Sequence, residues 1–463
     1  MTNTENKMGT MPIGRLLFSM SAPIIISMIV QALYNIVDSI YVAQYDPNAG
    51  TSALTIAFPM QSLMIAVSVG LAVGMNALIS RSLGEKNYEK ANVLAGQGFF
   101  LTFVGYLIFL FVGLFFIGPY VSMQAEAGSL LYTCSCDYLS VVCIFSIGVF
   151  VQVITERLLQ ATGRSFYSML IQLAGAIVNI VLDPIFIFGW FGVPEMGVKG
   201  AAIATVIGQC SAAVIGILFN ILINKEIKLR IKNLIPKAKL LSEMLAIGIP
   251  SILMQAIGSV MTFTMNLILT GFSQAALNVF GVYFKLQSFV FMPVFGLNNG
   301  LVPIVSYNFG ARHRDRVFSA MRLAVFAAVG YMLLGFLAFQ LLPDALLGIF
   351  NASDDMLEIG RVALRIISIS FIFAGFSMVS SSTCQALGKS IYSLIISVSR
   401  QLGVLLPVAY LLSLSGDLAL VWLAFPIAEV VCLVLCILFL IRVMKRVFPK
   451  KPLCEDDAPL CEL

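Results

Sequence analysis

Apolar stretches of about 20 or more residues follow one another through almost the whole chain, at positions 15–44, 52–80, 92–117, 128–156, 165–190, 198–223, 240–271, 276–305, 317–342, 356–387, 391–413 and 419–444. Each can cross a hydrocarbon core of about 30 Å as an α-helix, which satisfies its own backbone polar groups there. The pattern predicts an all-α membrane protein with twelve transmembrane helices. Polar residues collect in the short gaps, and the widest gap, Asn224 to Lys239, is basic, weakly apolar and holds Pro236. It separates six spans from six. The expected domains are an N-lobe (residues 1–223), a cytoplasmic linker (224–239), a C-lobe (240–447) and a cytoplasmic tail (448–463). Six is an even number, so both halves enter the membrane the same way round. Two homologous six-helix lobes related by a pseudo-twofold axis along the membrane normal are expected.

The halves also repeat in sequence. Gln160 to Ser168 reads QATGRSFYS, and Gln385 to Ser393, 225 positions later, reads QALGKSIYS, identical at six of nine positions. FPMQSLMIAVSVGLAVG from Phe58 echoes FKLQSFVFMPVFGLNNG from Phe284. Extending the register pairs Pro23 with Pro250, Gly84 with Gly310, and Gln209 with Glu429.

Composition closes off other classes. The chain is 59% hydrophobic and 11% charged, against about 25% charge in soluble domains, and twelve spans leave no room for a soluble catalytic domain. The net charge is +5, and its placement carries more than its sum. Connections after even-numbered spans hold Arg81, Lys86, Lys90, Arg157, Arg164, the cluster Lys225 to Lys239, Arg312, Arg314, Arg316 and Lys389, whereas those after odd-numbered spans are mostly acidic. By the positive-inside rule both termini face the cytoplasm of a cell (plasma or inner) membrane. Spread as short topogenic clusters without interleaved aromatics, these cations do not read as a nucleic-acid surface. Met1 to Thr10 is too poor in charge and apolar core for a cleaved signal, so the first span reads as retained. The nine cysteines form no disulfide framework. Cys134 and Cys136 have no matching pair or histidine, and Cys454 and Cys461 in the tail are expected to be free thiols. Gly388-Lys389-Ser390 suggests a phosphate loop, but Thr383 stands where its opening glycine belongs. His313 is the single histidine, and no nucleophile and base are arranged together. Neither an enzyme nor a cofactor is expected.

An ionisable side chain inside a bilayer costs at least a few kcal/mol, which makes each one a functional candidate. The embedded acids are Asp38, Asp137, Glu156, Asp183 and Glu429. Spans one and five run outward with Asp38 and Asp183 late in them, and span six runs inward with Ala201 and Thr205 early. All four therefore lie in the outer half of the N-lobe. Asn179 and Asp183 share a helical face, as do Asn35 and Asp38. Pro184 deprives the Ile180 carbonyl of its helical donor. This all-oxygen setting suits a hard cation such as Na⁺, and it equally suits a proton shared between two carboxylates. Structural glue across helices is the bland alternative.

The runs ALYNIVDSIYVA around Asp38, IVNIVLDPIFIFG around Asp183, GVKGAAIAT in span six and the duplicated QATG and QALG turns resemble the multidrug and toxic compound extrusion (MATE) family. The similarity covers all twelve spans. It implies a V-shaped pair of six-helix bundles that exports organic cations or amphipathic drugs in exchange for Na⁺ or H⁺, with a drug-like small molecule and membrane lipid as partners and a monomeric assembly. Carried over, it implies an N-lobe cation site of Asp38, Asn179, Asp183, Ala201 through its backbone, and Thr205.

The C-lobe does not repeat this chemistry. Met265 stands opposite Asp38, Val408 opposite Asp183, and span eight offers Lys285. Lys285, Arg400 and Glu429 fall near mid-membrane, where an ion-paired cluster or a structural salt bridge is expected. Arg361 and Arg365 share a face and add to a basic C-lobe. The expected substrate cavity draws on Tyr34, Asn35, Asp137, Glu156, Met265, Lys285, Arg400 and Glu429, with a soft wall from Met28, Met60, Met64, Met254, Met261, Phe291 and Met292. A polarised cavity of this kind could hold a zwitterionic or carboxylate-bearing drug. The leading function is a cation-coupled antiporter working by alternating access. The alternatives are a lipid-intermediate flippase or organic-anion exporter of the same superfamily, or a receptor or channel.

Overall fold

The structure, a computed structural model, describes residues 6–46, 49–350 and 353–448. Cys454, Cys461 and nearly all of the expected tail lie outside them. The described residues are helical without strands. The long helices are α1 (Ile13–Tyr45), α2 (Ala49–Gly84), α3 (Tyr88–Phe115), α4, α5 (Ser165–Phe188), α6 (Gly197–Leu222), α7 (Ala238–Thr270), α8 (Gln274–Gly310), α9 (Arg314–Leu341), α10 (Asp354–Ala386), α11 (Ser390–Ser413) and α12 (Leu418–Val447). Helix α4 is two segments, Leu130–Ile144 and Ile147–Ala161, bent by 46° about Phe145 and Ser146. The expected twelve spans are therefore present, with the fourth broken where the apolar run showed no break. Helix α11 is also irregular, with a π-helical stretch over Ser399–Leu405. Pro407 has no N–H to give the Gly403 carbonyl, so the ladder slips by one residue ahead of it.

The duplicated turns have a local cause. Gly163 and Gly388 both adopt a left-handed conformation, with φ of 83° and 72°, which costs a residue with a Cβ more than it costs glycine. Each turn is closed by the same bond, from Arg164 N to Leu159 O and from Lys389 N to Cys384 O, both 2.8 Å. The neighbouring carbonyls are held alike, since Ser80 Oγ donates to Ala161 O at 3.1 Å and Ser306 Oγ to Ala386 O at 2.8 Å. Identical residues recur because both lobes solve the same turn in the same way.

The two halves meet at the end of the bundle that carries the 224–237 connection, called the linker end below. Helix α2 packs on α7 and α8, and α1 packs on α8. Small residues allow this close approach. A Cβ on Gly74 would reach the Met244 carbonyl at 2.4 Å, and one on Gly296 would stand 2.9 Å from the Ile25 Cα. Polar contacts across the seam include Ser21 Oγ to Leu297 O at 3.3 Å and the pair Lys90 to Glu243 at 3.8 Å. The N-terminal segment straps both halves. Asn6 Nδ2 donates to Glu226 at 2.7 Å and to Thr162 O, while the carbonyls of Met8 and Met11 accept from Arg316 at 3.0 and 2.8 Å. One apolar core joins the C-terminal half to the linker-end part of the N-terminal half. The far part of the N-terminal half has a core of its own, around Ala53, Phe109, Leu139, Phe150 and Val198. The result is a V with its apex at the linker end.

Candidate functional site

The N-lobe site is positioned by glycine contacts between α5 and α6. A Cβ on Gly208 would meet Gly175 O at 2.8 Å, and one on Gly200 would meet Phe186 O at 2.4 Å. With the backbones this close, Asn179 of α5 reaches across to Thr205 of α6. Its Nδ2 donates to Asp183 Oδ1 at 3.1 Å and to Thr205 Oγ1 at 3.4 Å. Helix α1 packs against α5 and brings Asp38 within electrostatic reach of Asp183. Asp38, Asn179, Asp183, Ala201 and Thr205 are all buried. Pro184 follows Asp183 inside the helix, so the Ile180 carbonyl lacks its usual donor.

Among the described residues, three oxygens in this cluster have no hydrogen-bond partner: Asp38 Oδ1, Asn179 Oδ1 and Asp183 Oδ2. Buried polar atoms are almost always paired, and leaving carboxylates unpaired in a bilayer interior is more costly still. The donor set is hard oxygen throughout, which matches Na⁺ or a proton in chemistry.

Other expected cavity residues divide. Tyr34 is half-buried and within electrostatic reach of Asp38, Glu156 and Asp183, so it belongs with the cluster. Asn35, one position on, is exposed. Glu156 lies nearer the linker end, where Gln152 Nε2 donates to it at 3.0 Å and to Gln172 Oε1 at 2.8 Å. Asp137 does not join the cluster. It is half-exposed and pairs with Lys199 at 3.8 Å. The next residue, Tyr138, is the one turned inward, with its hydroxyl accepting from Gln61 Nε2 at 3.0 Å and lying within electrostatic reach of Asp38 and Asp183. Successive helical side chains point about 100° apart, so the charge drew attention to Asp137 and away from its neighbour. Gln61 and Tyr138 were missed because neither is ionised at neutral pH.

The C-lobe departs further from expectation. Met265 is fully buried in the C-lobe core and lines no open surface. Among the described residues Lys285 takes no part in an ion-paired cluster; its ammonium lies over the Phe350 ring at 5.7 Å. Arg361 is exposed and pairs with Asp344. Arg400 and Glu429 do meet, at 3.5 Å, between α11 and α12. Glu429 is buried, and its Oε1 has no partner among the described residues. In the repeat register Gly175 stands opposite Arg400 and Gln209 opposite Glu429, so the C-lobe places a long ion pair where the N-lobe packs backbone on backbone. Among the described residues no group of three or more His, Cys, Asp and Glu side chains could hold a metal ion. Cys134, Cys136, Cys143, Cys210, Cys384, Cys432 and Cys436 are free thiols.

Comparison with known proteins agrees with this architecture. The multidrug export protein MepA of Staphylococcus aureus (strain MSSA476) is 26% identical over 434 residues, covering 93% of this chain and 94% of the relative. The MepA of Staphylococcus haemolyticus (strain JCSC1435) is 25% identical over 444 residues, covering 96% and 95%. A solved MOP superfamily transporter from Pyrococcus furiosus superposes with a TM-score of 0.88 at 23% identity, over 96% of this chain and 99% of its own. An outward-facing multidrug resistance MATE family transporter does so with a TM-score of 0.89 over the same shares. At that identity the structures speak to the fold alone. The MatE family model matches twice, over residues 23–185 and 250–411. Its two copies begin at Pro23 and Pro250, the pair that the internal repeat had aligned. Matched across both lobes in this way, the chain belongs to the MatE family of membrane transporters.

Proposed function

We propose that the protein is a secondary antiporter that exports organic cations and amphipathic drugs by alternating access, coupled to inward movement of H⁺ or Na⁺ at Asp38 and Asp183. The observation that carries this reading is the trio of unpartnered buried oxygens on Asp38, Asn179 and Asp183. A bound cation or proton satisfies them and removes the repulsion between two carboxylates; its departure restores the charge. Thr205 and the Ile180 carbonyl supply further oxygen ligands beside them. Asn179 is spoken for on its donor side, which leaves its oxygen turned to the ion.

The cell membrane is the setting, and the linker end is taken as cytoplasmic, with both termini on that side. The basic connections at this end support that orientation. The V then opens outward, the cation enters from the outer face, and rocking of the lobes about their seam carries the site inward. The domain divisions at 223, 239 and 447 follow the same reading. Multidrug export by the MepA relatives supports a drug-like substrate. Dye efflux from proteoliposomes, driven separately by a proton gradient and by a sodium gradient, tests the proposal. Efflux under one gradient that requires Asp38 supports it, and efflux under neither overturns it. Export of organic anions without either gradient would favour the flippase or anion-exporter alternative.

A further inference from the structure

Two charges in the C-terminal half have no part in the cation cluster. Arg400 of α11 and Glu429 of α12 meet at 3.5 Å, a long contact beside the roughly 2.7–2.9 Å of a well-formed charge-assisted hydrogen bond. Both point into the lobe. The opposite face of α12, with Val430, Val431, Val434 and Leu438, is the exposed one. Tyr283 of α8 lies within electrostatic reach of both charges, and Arg400 lies within reach of the Cys432 and Cys436 thiols. The Cys436 thiol in turn donates to Ser377 O of α10 at 3.8 Å. Arg400 is thus set among α8, α10 and α12, away from lipid.

The two ends of the pair are satisfied to different degrees. Glu429 is buried with its Oε1 unpartnered among the described residues. Arg400 keeps 29% of its side chain exposed although it points between helices, so the lobe is open at the guanidinium. Its Nη1 donates to Glu429, and its other N–H groups have no hydrogen-bond partner among the described residues. A pair kept for stability alone needs a close contact and partners for the remaining atoms. Here an acceptor and several donors stand free side by side. The N-lobe has no such space, since a Cβ on Gly175, the position that matches Arg400, would stand 3.0 Å from the Ala212 Cβ. The C-lobe has opened this place, and the π-helical stretch Ser399–Leu405 that carries Arg400 takes it out of the regular α-helical register.

We propose that Arg400 and Glu429 form a C-lobe site for a zwitterionic, carboxylate-bearing substrate. The planar guanidinium takes the carboxylate through two parallel N–H···O bonds, and the free Glu429 oxygen accepts from the protonated amine of the same molecule. The substrate's two charges extend the ion pair, so each buried end gains a partner. A plain cation gains the second contact alone and meets the repulsion of the guanidinium. The proposal rests on the drug export proposed above and names the class of drug that the C-lobe selects.

The test is a fluorescence anisotropy titration of the purified protein in nanodiscs with two dyes, a zwitterionic rhodamine that bears a free carboxylate and its methyl ester, a plain cation. Wild type is expected to bind the zwitterion. Arg400→Lys keeps the charge and loses the fork, and Arg400→Met/Glu429→Leu removes the pair together; in both, affinity for the zwitterion falls at least about tenfold while that for the ester changes less than about twofold. Arg365→Gln, an exposed C-lobe cation, behaves as wild type. Equal loss of both dyes shows a structural role for the pair and overturns the proposal. Unchanged affinity for the zwitterion in the two variants overturns it also, as does failure of wild type to bind that dye. Binding is read without any ion gradient, so dye efflux under neither gradient would remove the antiport reading and leave this preference intact.

Discussion

A Cβ added to Gly84 would stand 2.0 Å from the carbonyl oxygen of Tyr307, across the boundary between the two lobes. The relation is reciprocal: a Cβ on Gly310 would stand 2.1 Å from the carbonyl of Arg81. The lobes thus touch backbone to backbone at one pair of repeat-related glycines, and side chains of any size are shut out. These contacts and the N-terminal strap lie at the same end of the molecule.

Substitution at this contact is expected to part the lobes without unfolding either one. Gly84→Ala and Gly310→Ala each force a shift costing about 1–3 kcal/mol of docking. Slower crosslinking of the Lys90→Cys/Glu243→Cys pair checks this. Gly330→Ala, whose Cβ meets nothing within 4 Å, serves as the control and should crosslink as wild type. An equal rate in all three would mean that the seam is not held by this contact.

Asp38→Asn and Asp183→Asn are each expected to reduce gradient-driven dye efflux by at least about tenfold, since one carboxylate alone neither repels a partner nor holds the ion as two do. Asn179→Ala should fall in the same direction, because it removes an oxygen ligand and the donor to Asp183. The exposed Asp355→Asn should transport normally. Wild-type efflux by Asp38→Asn would remove the coupling site from where it is placed above.

Arg400 and Glu429 are expected to behave as one unit. Arg400→Met strands a buried carboxylate and Glu429→Leu strands a guanidinium, each costing about 2–3 kcal/mol, whereas the double replacement removes the charges together and costs much less. Thermal unfolding of the two single variants and the double variant in detergent measures the coupling. Strict additivity would show that the 3.5 Å contact carries no energy.

The N-terminal strap is expected to hold more tightly in mild acid. Burial pushes the Glu226 carboxyl above its ordinary range, and the Asn6 hydrogen bond and the Arg164 charge only partly offset this. A carboxyl raised in the folded state contributes stability that is present below its unfolded pKa and is lost as pH rises through the folded value. The protection of the amides of residues 6–11 against hydrogen exchange, relative to an unfolded chain at the same pH, should therefore fall as pH rises above about 4. Glu226→Gln keeps an acceptor for Asn6 and should flatten that dependence. An unchanged slope in the variant would place its origin elsewhere.

Much of the fold could be read from periodicity, because a bilayer imposes one solution on any long apolar run. Eleven spans matched continuous helices, and the bend in α4 escaped notice because Phe145 and Ser146 are no less compatible with a helix than their neighbours. Asp38, Asp183, Ala201 and Thr205 could be set at one depth by counting along spans whose direction the charge placement predicts. Asp137, Met265 and Lys285 could not, since depth says nothing of the direction in which a side chain points.

The sequence by itself determined the twelve spans, the duplication and the half of the molecule that keeps its acids, since hydrophobic length, repeated residues and charge placement are one-dimensional properties. Tertiary structure alone decided which neighbours face inward, so that Tyr138 and not Asp137 adjoins the site, and Arg400 meets Glu429 without Lys285. It also decided that the lobes close at the linker end, because that depends on glycines far apart in the chain bringing backbones into contact. Rotation about a helix axis and approach between helices are set by packing, and packing exists only in three dimensions.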